Sequence, residues 1–98
     1  MENGSRITLA EAATMTAAYR VSHPNGVLAQ MYDKNLILDI LNQENCCGLR
    51  LYYGKDQGQN VMVIVGTDEN GDDIENGVII EKGTPCPPNC PKANPLNS

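Results

Sequence analysis

Three short apolar runs in the middle of the chain alternate with polar turns and predict an antiparallel sheet. The runs are residues 48–53 (GLRLYY), 61–65 (VMVIV) and 77–80 (GVII). They hold most of the β-branched residues, and glycine, asparagine and aspartate stand between them, as turns require. We interpret KDQGQN as a polar hairpin loop and DENGDD as a tight turn around Asn70-Gly71, a dipeptide suited to positive φ. The pattern therefore predicts a three-stranded meander.

Alternation within the sheet indicates which side chains share a face. In the first strand Cys47, Leu49, Leu51 and Tyr53 fall on one face, and Gly48, Arg50 and Tyr52 on the other. The second strand is apolar on both faces, which predicts cover on both sides and places Val63 and Ile64 at the centre of the core. Helices are expected on one face, and the N-terminal segment, the tail or a second subunit on the other.

Two helices are predicted before the sheet. Thr8 and Glu11 have the spacing of a capping box, and the helix after them is expected to run to about Arg20, where SHPNG favours a turn. The inward stripe of this first helix is weakly apolar and consists of Leu9, Ala12, Ala13, Thr16 and Tyr19 or Arg20. Asp33 is a plausible cap for the second helix, expected from Lys34 to about Gln43 with Asp39, Asn42 and Gln43 turned outward. Its apolar face holds Leu36, Ile37, Ile40 and Leu41.

Residues 27–32 (VLAQMY) are expected to be an extended edge strand, with a helical turn as the alternative. The fold class is thus α+β: an antiparallel meander of three strands, with residues 27–32 as the candidate fourth, and two helices packed mainly on one face. The sequence predicts one domain over residues 1–83.

After Glu81 the chain changes character, and residues 84–98 form a predicted tail that holds five of the six prolines. Proline cannot donate a backbone hydrogen bond, so the tail is expected to be extended or polyproline-like and not part of the core. Because proline lowers the entropy lost on ordering, we expect residues 84–91 to lie along the body. Cys86 and Cys90 would then turn toward the body or toward each other, and the last few residues would be mobile.

Composition narrows the function classes. The chain has 98 residues, no Phe or Trp and a net charge of −5, and its basic residues are scattered. Nucleic-acid binding needs grouped Lys and Arg, and an anionic membrane surface needs the same, so neither partner is expected. No apolar run approaches the length of a membrane helix, and the start lacks signal-peptide features. These features predict a cytoplasmic protein with reduced thiols.

The CPPNC motif is the most specific chemical feature of the chain. Cys86 and Cys90 have a spacing that zinc sites use, but we rank structural packing or a local disulfide above metal. A four-cysteine zinc site would need Cys46 and Cys47 as the second pair, and neighbouring strand residues point to opposite faces. We therefore predict no stoichiometric zinc and no cofactor; these four cysteines are the candidate ligands for a metal.

Other candidate chemistry is weak. The acidic segment 68–75 lacks the glycine and glutamate that a calcium-binding loop would need at Asp73 and Ile79, so a solvated turn is expected. His23, the only histidine, could activate a cysteine nucleophile but has no evident orienting partner. We predict that the protein is not an enzyme.

Several motifs together carry a resemblance to a known family. GLRLYYG, VGTDENGDD and PCPPNC, within TLAEAATMTAAYR to EKGTPCPPNCPKANPLN, resemble a family of small uncharacterised proteins of Bacteroidetes-type bacteria. The resemblance covers nearly the whole chain. Where that family usually carries two phenylalanines, this chain has Met31 and Tyr32, so the packing there is expected to differ. The resemblance implies the domain boundaries and no activity.

Three functions follow as hypotheses. The first is a small binding or adaptor protein, with a protein partner or a second copy bound through the sheet's second face or the tail. Its candidate partner-binding residues are Pro85, Pro87, Pro88, Tyr52 and Arg50. The second is a thiol or metal protein that uses Cys86 and Cys90. The third is an enzyme with a cysteine nucleophile.

Overall fold

The computed structural model describes residues 3–98, and within them the α+β class and the antiparallel meander are confirmed. The elements in chain order are α1 (Leu9–Ser22), β1 (Ala29–Met31), α2 (Lys34–Leu41), β2 (Gly48–Asp56), β3 (Gln59–Thr67), β4 (Ile79–Ile80) and β5 (Thr84–Cys86). Strands β2, β3 and β4 form a three-stranded sheet in that order, and β1 pairs with β5 in a separate two-stranded sheet. Across residues 3–98, neither helix has the length and apolar character needed to cross a membrane.

The β2–β3 hairpin is longer than the sequence predicts. Pairing continues to Asp56 opposite Gln59, so the KDQGQN segment is mostly strand and not a loop. The turn consists of Gln57 and Gly58, whose φ values are 51° and 82°. Two successive residues at positive φ match the right-handed twist of the flanking strands, which allows the hairpin to close in two residues.

The connection from β3 to β4 begins with the predicted tight turn around Asn70-Gly71, in which the Gly71 N–H donates to the Asp68 carbonyl at 3.0 Å and the Asp68 N–H donates to the Asp72 carbonyl at 2.9 Å. Gly71 has positive φ, but Asn70 does not. The Asp68 carboxylate supports this turn by accepting hydrogen bonds from the backbone N–H groups of Asn70, at 2.9 Å, and Asp72, at 3.0 Å. The third strand is shorter than predicted: β4 consists of Ile79–Ile80, and Gly77 and Val78 lie outside it.

The extended conformation expected at residues 27–32 is present at Ala29–Met31, where the partner strand is β5 of the tail. The expectation that the tail takes no part in the core is wrong, because Cys86 in β5 is buried. Pro85 stands opposite Gln30 within this pairing. A two-stranded sheet has only edge strands, and edges tolerate proline because an outward N–H is not needed for pairing.

A small aliphatic core joins α2 to the meander. Ile40 packs with Ile64 and Ile80, and Tyr32, Ile37 and Cys46 lie around them. Ile64 is therefore central, as the pattern predicts, whereas Val63 is only half-buried on the other face of β3. The prediction that Gln43 points outward is wrong. Its Oε1 accepts from the Val78 N–H at 2.7 Å and its Nε2 donates to the Ile40 carbonyl at 3.0 Å, so it attaches the end of α2 to the chain before β4.

Helix α1 begins with the predicted capping box, in which the Thr8 hydroxyl accepts from the Glu11 N–H and the Glu11 carboxylate accepts from the Thr8 N–H. The helix continues to Ser22, two residues beyond Arg20. None of its side chains is buried. Of the predicted stripe, Ala12, Ala13, Thr16 and Arg20 are half-buried, and Leu9 and Tyr19 are exposed. Helix α2, not α1, therefore supplies the helical side of the core.

Candidate functional site

An open cleft of about 750 Å³ separates α1 from the sheet. Four parts of the chain line it: α1, the segment around β1, the turn end of the β2–β3 hairpin, and the C-terminal tail. Its apolar side chains include Met15, Tyr19, Leu28, Tyr53, Met62 and Leu96. A concave, mostly apolar site of this volume is typical of small-molecule binding sites.

The sheet provides one wall of the cleft because α2 covers only part of its length. Tyr53 stands opposite Met62, on the same face as Ile64 and Ile80. Ile40 of α2 covers Ile64 and Ile80, and Tyr53 remains 92% exposed. The Tyr32 hydroxyl donates to the Met62 carbonyl at 2.6 Å, and burial of the Tyr32 phenol raises its pKa. This bond holds the segment after β1 against β3, next to the cleft.

The tail provides the opposite wall, and it is organised by its own hydrogen bonds. Asn97 Oδ1 accepts from the Asn94 N–H, and Asn94 Oδ1 accepts from the Leu96 N–H, both at 2.8 Å. Arg20 Nη1 donates to the Leu96 carbonyl at 2.8 Å, which ties the tail to α1. The sequence predicts that the last few residues are mobile. In the structure the tail forms hydrogen bonds up to Ser98, whose N–H donates to the Asn94 carbonyl.

Arg20 is the cationic side chain of the cleft. Its guanidinium carries five N–H donors, and the bonds described for it, to Leu96 and to Thr16, all come from Nη1. Among residues 3–98 the one ion pair joins Arg50 to Asp73, so Arg20 has no carboxylate partner there. A half-buried cation beside an apolar wall is suited to an anionic group on a bound molecule.

The predicted cysteine pair lies next to the cleft. Cys86 and Cys90 form a disulfide, which is one of the two arrangements that the sequence left open. Cys86 also lines the cleft, and the Asn89 N–H donates to the Pro85 carbonyl at 3.0 Å across the CPPNC turn. The disulfide thus fixes the point at which the chain leaves β5 and enters the tail wall. The expectation of reduced thiols does not hold for this pair.

The other predicted partner-binding residues are separated from one another. Pro85 is half-buried in β5, whereas Pro87 and Pro88 are exposed in the turn that the disulfide closes. Arg50 and Tyr52 lie on the opposite face of the sheet from Tyr53, as alternation predicts. None of these five residues lines the cleft.

Asp73 brings Arg50 and Tyr52 together, which the sequence did not predict. Its carboxylate accepts hydrogen bonds from the Arg50 guanidinium and the Tyr52 hydroxyl. The bond from Tyr52, followed by that from Arg50, holds the pKa of Asp73 below its usual range. The same carboxylate raises the pKa of the Tyr52 phenol. All three side chains are at least partly accessible, so the cluster organises a surface and not a closed site.

The remaining chemical candidates are not assembled. Within the described part of the chain, no group of three or more histidine, cysteine or acidic residues is placed to hold a metal ion. Cys46 is half-buried with its thiol near the Gly48 carbonyl, and Cys47 is exposed. His23 stacks on Tyr19, and its Nδ1 lies 3.2 Å from the Tyr19 carbonyl and 3.1 Å from Ser22 Oγ, with no cysteine among these contacts. Absence of stoichiometric zinc stays a prediction.

Comparisons of the chain with protein-family models, curated proteins and solved structures found no match. The interpretation of the site therefore depends on its geometry. Sequence reasoning missed the cleft, although one signal was available: Met15 and Leu96 are large apolar residues outside every predicted core stripe.

Proposed function

We propose that the protein is a small non-enzymatic binding protein and that the apolar cleft is its binding site. The observation that supports this most directly is the cleft itself, about 750 Å³ in volume and lined largely by aliphatic and aromatic side chains. Met15 on α1 is 62% exposed and Tyr53 on β2 is 92% exposed. A bound molecule that removes the apolar surface of these side chains from water lowers the free energy of the complex by roughly 25 cal/mol per Å² of buried surface.

The ligand class that fits is a small amphipathic anion, with an apolar body along the cleft and an anionic group beside Arg20. The apolar side chains suit the body, and the guanidinium suits a carboxylate or a similar head group. The net charge of −5 disfavours anions in general, so the local cation has to supply the selectivity. Neutral apolar molecules should then bind more weakly than anionic ones of the same chain length.

Calorimetric titration with decanoate and with decanol tests both parts of this proposal. We expect saturable binding of decanoate and an affinity for decanol that is lower by at least about tenfold, because a charge-assisted hydrogen bond contributes roughly 1.5–3 kcal/mol. Arg20→Gln should bring the affinity for decanoate down to that for decanol. Equal affinity of the wild type for both molecules would refute the role of Arg20 but would agree with binding of apolar molecules in the cleft.

A matched pair of substitutions on α1 tests whether the cleft is the site. Met15→Glu places a carboxylate in the cleft, whereas Val21→Glu places one at a position on the same helix that is 83% exposed and does not line the cleft. We expect Met15→Glu to weaken decanoate binding by about tenfold or more and Val21→Glu to leave it nearly unchanged. Equal effects, or no binding by the wild type, would reject the proposal.

A thiol–disulfide role for Cys86 and Cys90 is the second candidate, and the disulfide between them is the observation that favours it. Cys90 is exposed, so an external thiolate can attack its Sγ, and Cys86 then leaves as the thiolate. Because Cys86 is buried, that leaving thiolate lacks solvation, which slows the exchange. We therefore assign the pair a structural role first.

Other hypotheses remain proposals without a supporting contact among residues 3–98. They are the enzyme and metal functions, the family resemblance and the cytoplasmic location.

A further inference from the structure

Strand β2 forms an open edge of the meander. It is nine residues long and pairs only with β3 in the described sheet. Residues 49–53 are all exposed, including Leu51 at 49%. Natural edge strands are usually short, interrupted by proline, or covered, because an open edge can pair with another strand. β2 contains no proline.

The register of the hairpin decides which backbone groups of β2 face outward. A two-residue turn makes Asp56 and Gln59 a hydrogen-bonded pair, and every second pair after it is bonded in the same way. The intervening residues direct their N–H and C=O groups away from the partner strand. On β3 these are Asn60, Met62, Ile64 and Gly66. Ile64 pairs with Ile80 of β4, and the carbonyls of the other three accept from Gln30, Tyr32 and Ile74.

On β2 the corresponding outward residues are Leu49, Leu51, Tyr53 and Lys55. Among residues 3–98, no hydrogen bond is described for the N–H or C=O groups of these four residues toward the open side. Their side chains share the face of Ile64 and Met62. The edge therefore combines four unpaired backbone positions with exposed Leu49, Leu51 and Tyr53.

We propose that this edge pairs with β2 of a second copy of the chain, antiparallel, about a two-fold axis at Tyr52. With the axis at the central residue, all nine positions of Gly48–Asp56 find a partner, whereas a shifted axis leaves part of the strand unpaired. Leu51 then exchanges backbone hydrogen bonds with the second copy's Tyr53, and Leu49 with its Lys55. The two meanders become one continuous six-stranded sheet.

The charges on β2 favour a second copy as the occupant. The chain has twelve acidic and seven basic residues, but β2 carries Arg50 and Lys55 against Asp56, and Asp73 pairs with Arg50 beside the strand, so this edge is close to neutral. Two copies of an acidic protein therefore approach with least repulsion along this strand. In the proposed register Arg50 lies diagonal to the second copy's Asp56, and no like charges stand directly opposite each other, an arrangement that stabilises cross-strand pairing.

The pairing also affects the cleft, because Tyr53 belongs to both surfaces. The second copy's Leu51 would lie beside Tyr53 on the same face of the sheet and extend the apolar wall at the open side of the cleft. The inference about β2 does not depend on ligand binding, since its evidence is the strand edge. Failure of the titrations with decanoate would leave the dimer proposal intact.

Two substitutions of similarly exposed apolar strand residues test the interface by sedimentation equilibrium. We expect the wild type to have about twice the chain mass of 10.6 kDa. Leu51→Lys should give the single-chain mass with little change in the thermal midpoint, because Leu51 is half-exposed in the isolated chain. Ile79→Lys, at a 54% exposed position of β4, should remain a dimer. A monomeric wild type, or a dimeric Leu51→Lys, overturns the proposal.

Disulfide trapping tests the register independently of these variants. With Cys46 and Cys47 changed to serine, Tyr52→Cys places two cysteines at the two-fold axis, where α-carbons of a non-hydrogen-bonded pair are about 4.5 Å apart. Tyr53→Cys is the control, because two copies of residue 53 lie diagonally, beyond roughly 7 Å. We expect a covalent dimer from Tyr52→Cys only. Equal trapping of both variants would indicate random collision, because residue 53 is the more exposed position, and it would reject the register. Absence of trapping at residue 52 would also reject it.

Discussion

Asp73 is the residue that organises the face of the sheet opposite the cleft. It forms an antiparallel bridge with Thr67 at the end of β3, and its side chain reaches both Arg50 and Tyr52 on β2. Because its carboxylate bonds to both, Arg50 and Tyr52 are held together over Val65, which is buried on the same face. These contacts are accessible to solvent, so screening limits their contribution to stability.

The lowered pKa of Asp73 determines the sign of its pH dependence. A folded-state pKa below the unfolded value, roughly 3.9, adds stability above that value, and the contribution is lost as the pH falls through the folded-state pKa. Asp73→Asn should therefore lower the thermal midpoint at pH 7, and the difference from wild type should shrink below about pH 4. Asp72→Asn is the control. A difference that is constant with pH would contradict this account.

Gly66 is a glycine that packing requires. A Cβ at this position would lie 3.0 Å from Cys46 Sγ and 3.1 Å from Ile40 Cγ2, inside the buried contact between α2 and β3. We expect Gly66→Ala to reduce the free energy of unfolding by about 1–3 kcal/mol through overpacking, measured by urea unfolding. Gly26→Ala, whose Cβ would meet His23 atoms at 3.6 Å and 3.8 Å, should have a much smaller effect. If both substitutions reduced the free energy of unfolding by the same amount, the side chains around Gly66 would accommodate the added methyl group without overpacking.

Among the elements, β3 supplies three of the six buried residues of the described chain, and α1 supplies none. Ile64, Val65 and Gly66 of β3 are all buried, whereas α1 has no buried side chain. The helix is held by its own capping box and by the bond from Arg20 to the tail. An element with few buried contacts opens at a lower free energy than the core, so we expect the amides of α1 to exchange faster than those of β3.

The two faces of β3 should respond differently to a buried charge. Ile64 lies in the core with Ile40 and Ile80, whereas Val63 is half-buried on the opposite face. Ile64→Asp leaves an unpaired carboxylate in the core and should unfold the chain or cost more than about 4 kcal/mol. Val63→Asp should be tolerated better, as circular dichroism and urea unfolding will show. Equal destabilisation would indicate that a second copy or another segment covers the face of Val63.

For the whole molecule, the tail closes the cleft and completes the smaller sheet. Truncation after Gly83 removes β5 and Cys86 but keeps the contact of Ile40, Ile64 and Ile80. We expect a folded chain with a thermal midpoint lower by about 5–10 °C, equivalent to roughly 1–2 kcal/mol, and no binding of decanoate. Differential scanning calorimetry and amide exchange of Thr84 and Cys86 in the intact chain provide the measurements.

Truncation after Cys90 separates the two roles of the tail. It retains β5 and the disulfide but deletes the wall formed by Pro91, Asn94, Leu96 and Asn97. The thermal midpoint should then stay close to that of the full chain, while decanoate binding is lost. An unchanged midpoint after truncation at Gly83, together with rapid amide exchange of Thr84 and Cys86 in the intact chain, would mean that β5 adds nothing to stability.

The sequence alone was sufficient for features that depend on neighbours along the chain. Thr8 and Glu11 predicted the start of α1 because a capping box is formed within four residues. Alternation in β2 and β3 predicted the strands, the central place of Ile64 and the separation of Tyr52 from Tyr53, because side-chain direction in a strand repeats every two residues. These signals are local and do not require knowledge of what the chain packs against.

Only the tertiary structure decided which distant segments meet. β1 pairs with β5 across most of the chain length, and neither AQM nor TPC carries a signal that identifies the other as its partner. The bonds of Asp73 to Arg50 and Tyr52, and the cleft between α1 and the sheet, depend on the same kind of long-range placement. Such contacts form because burial and pairing lower the free energy of the whole chain, a sum that no window of neighbouring residues contains.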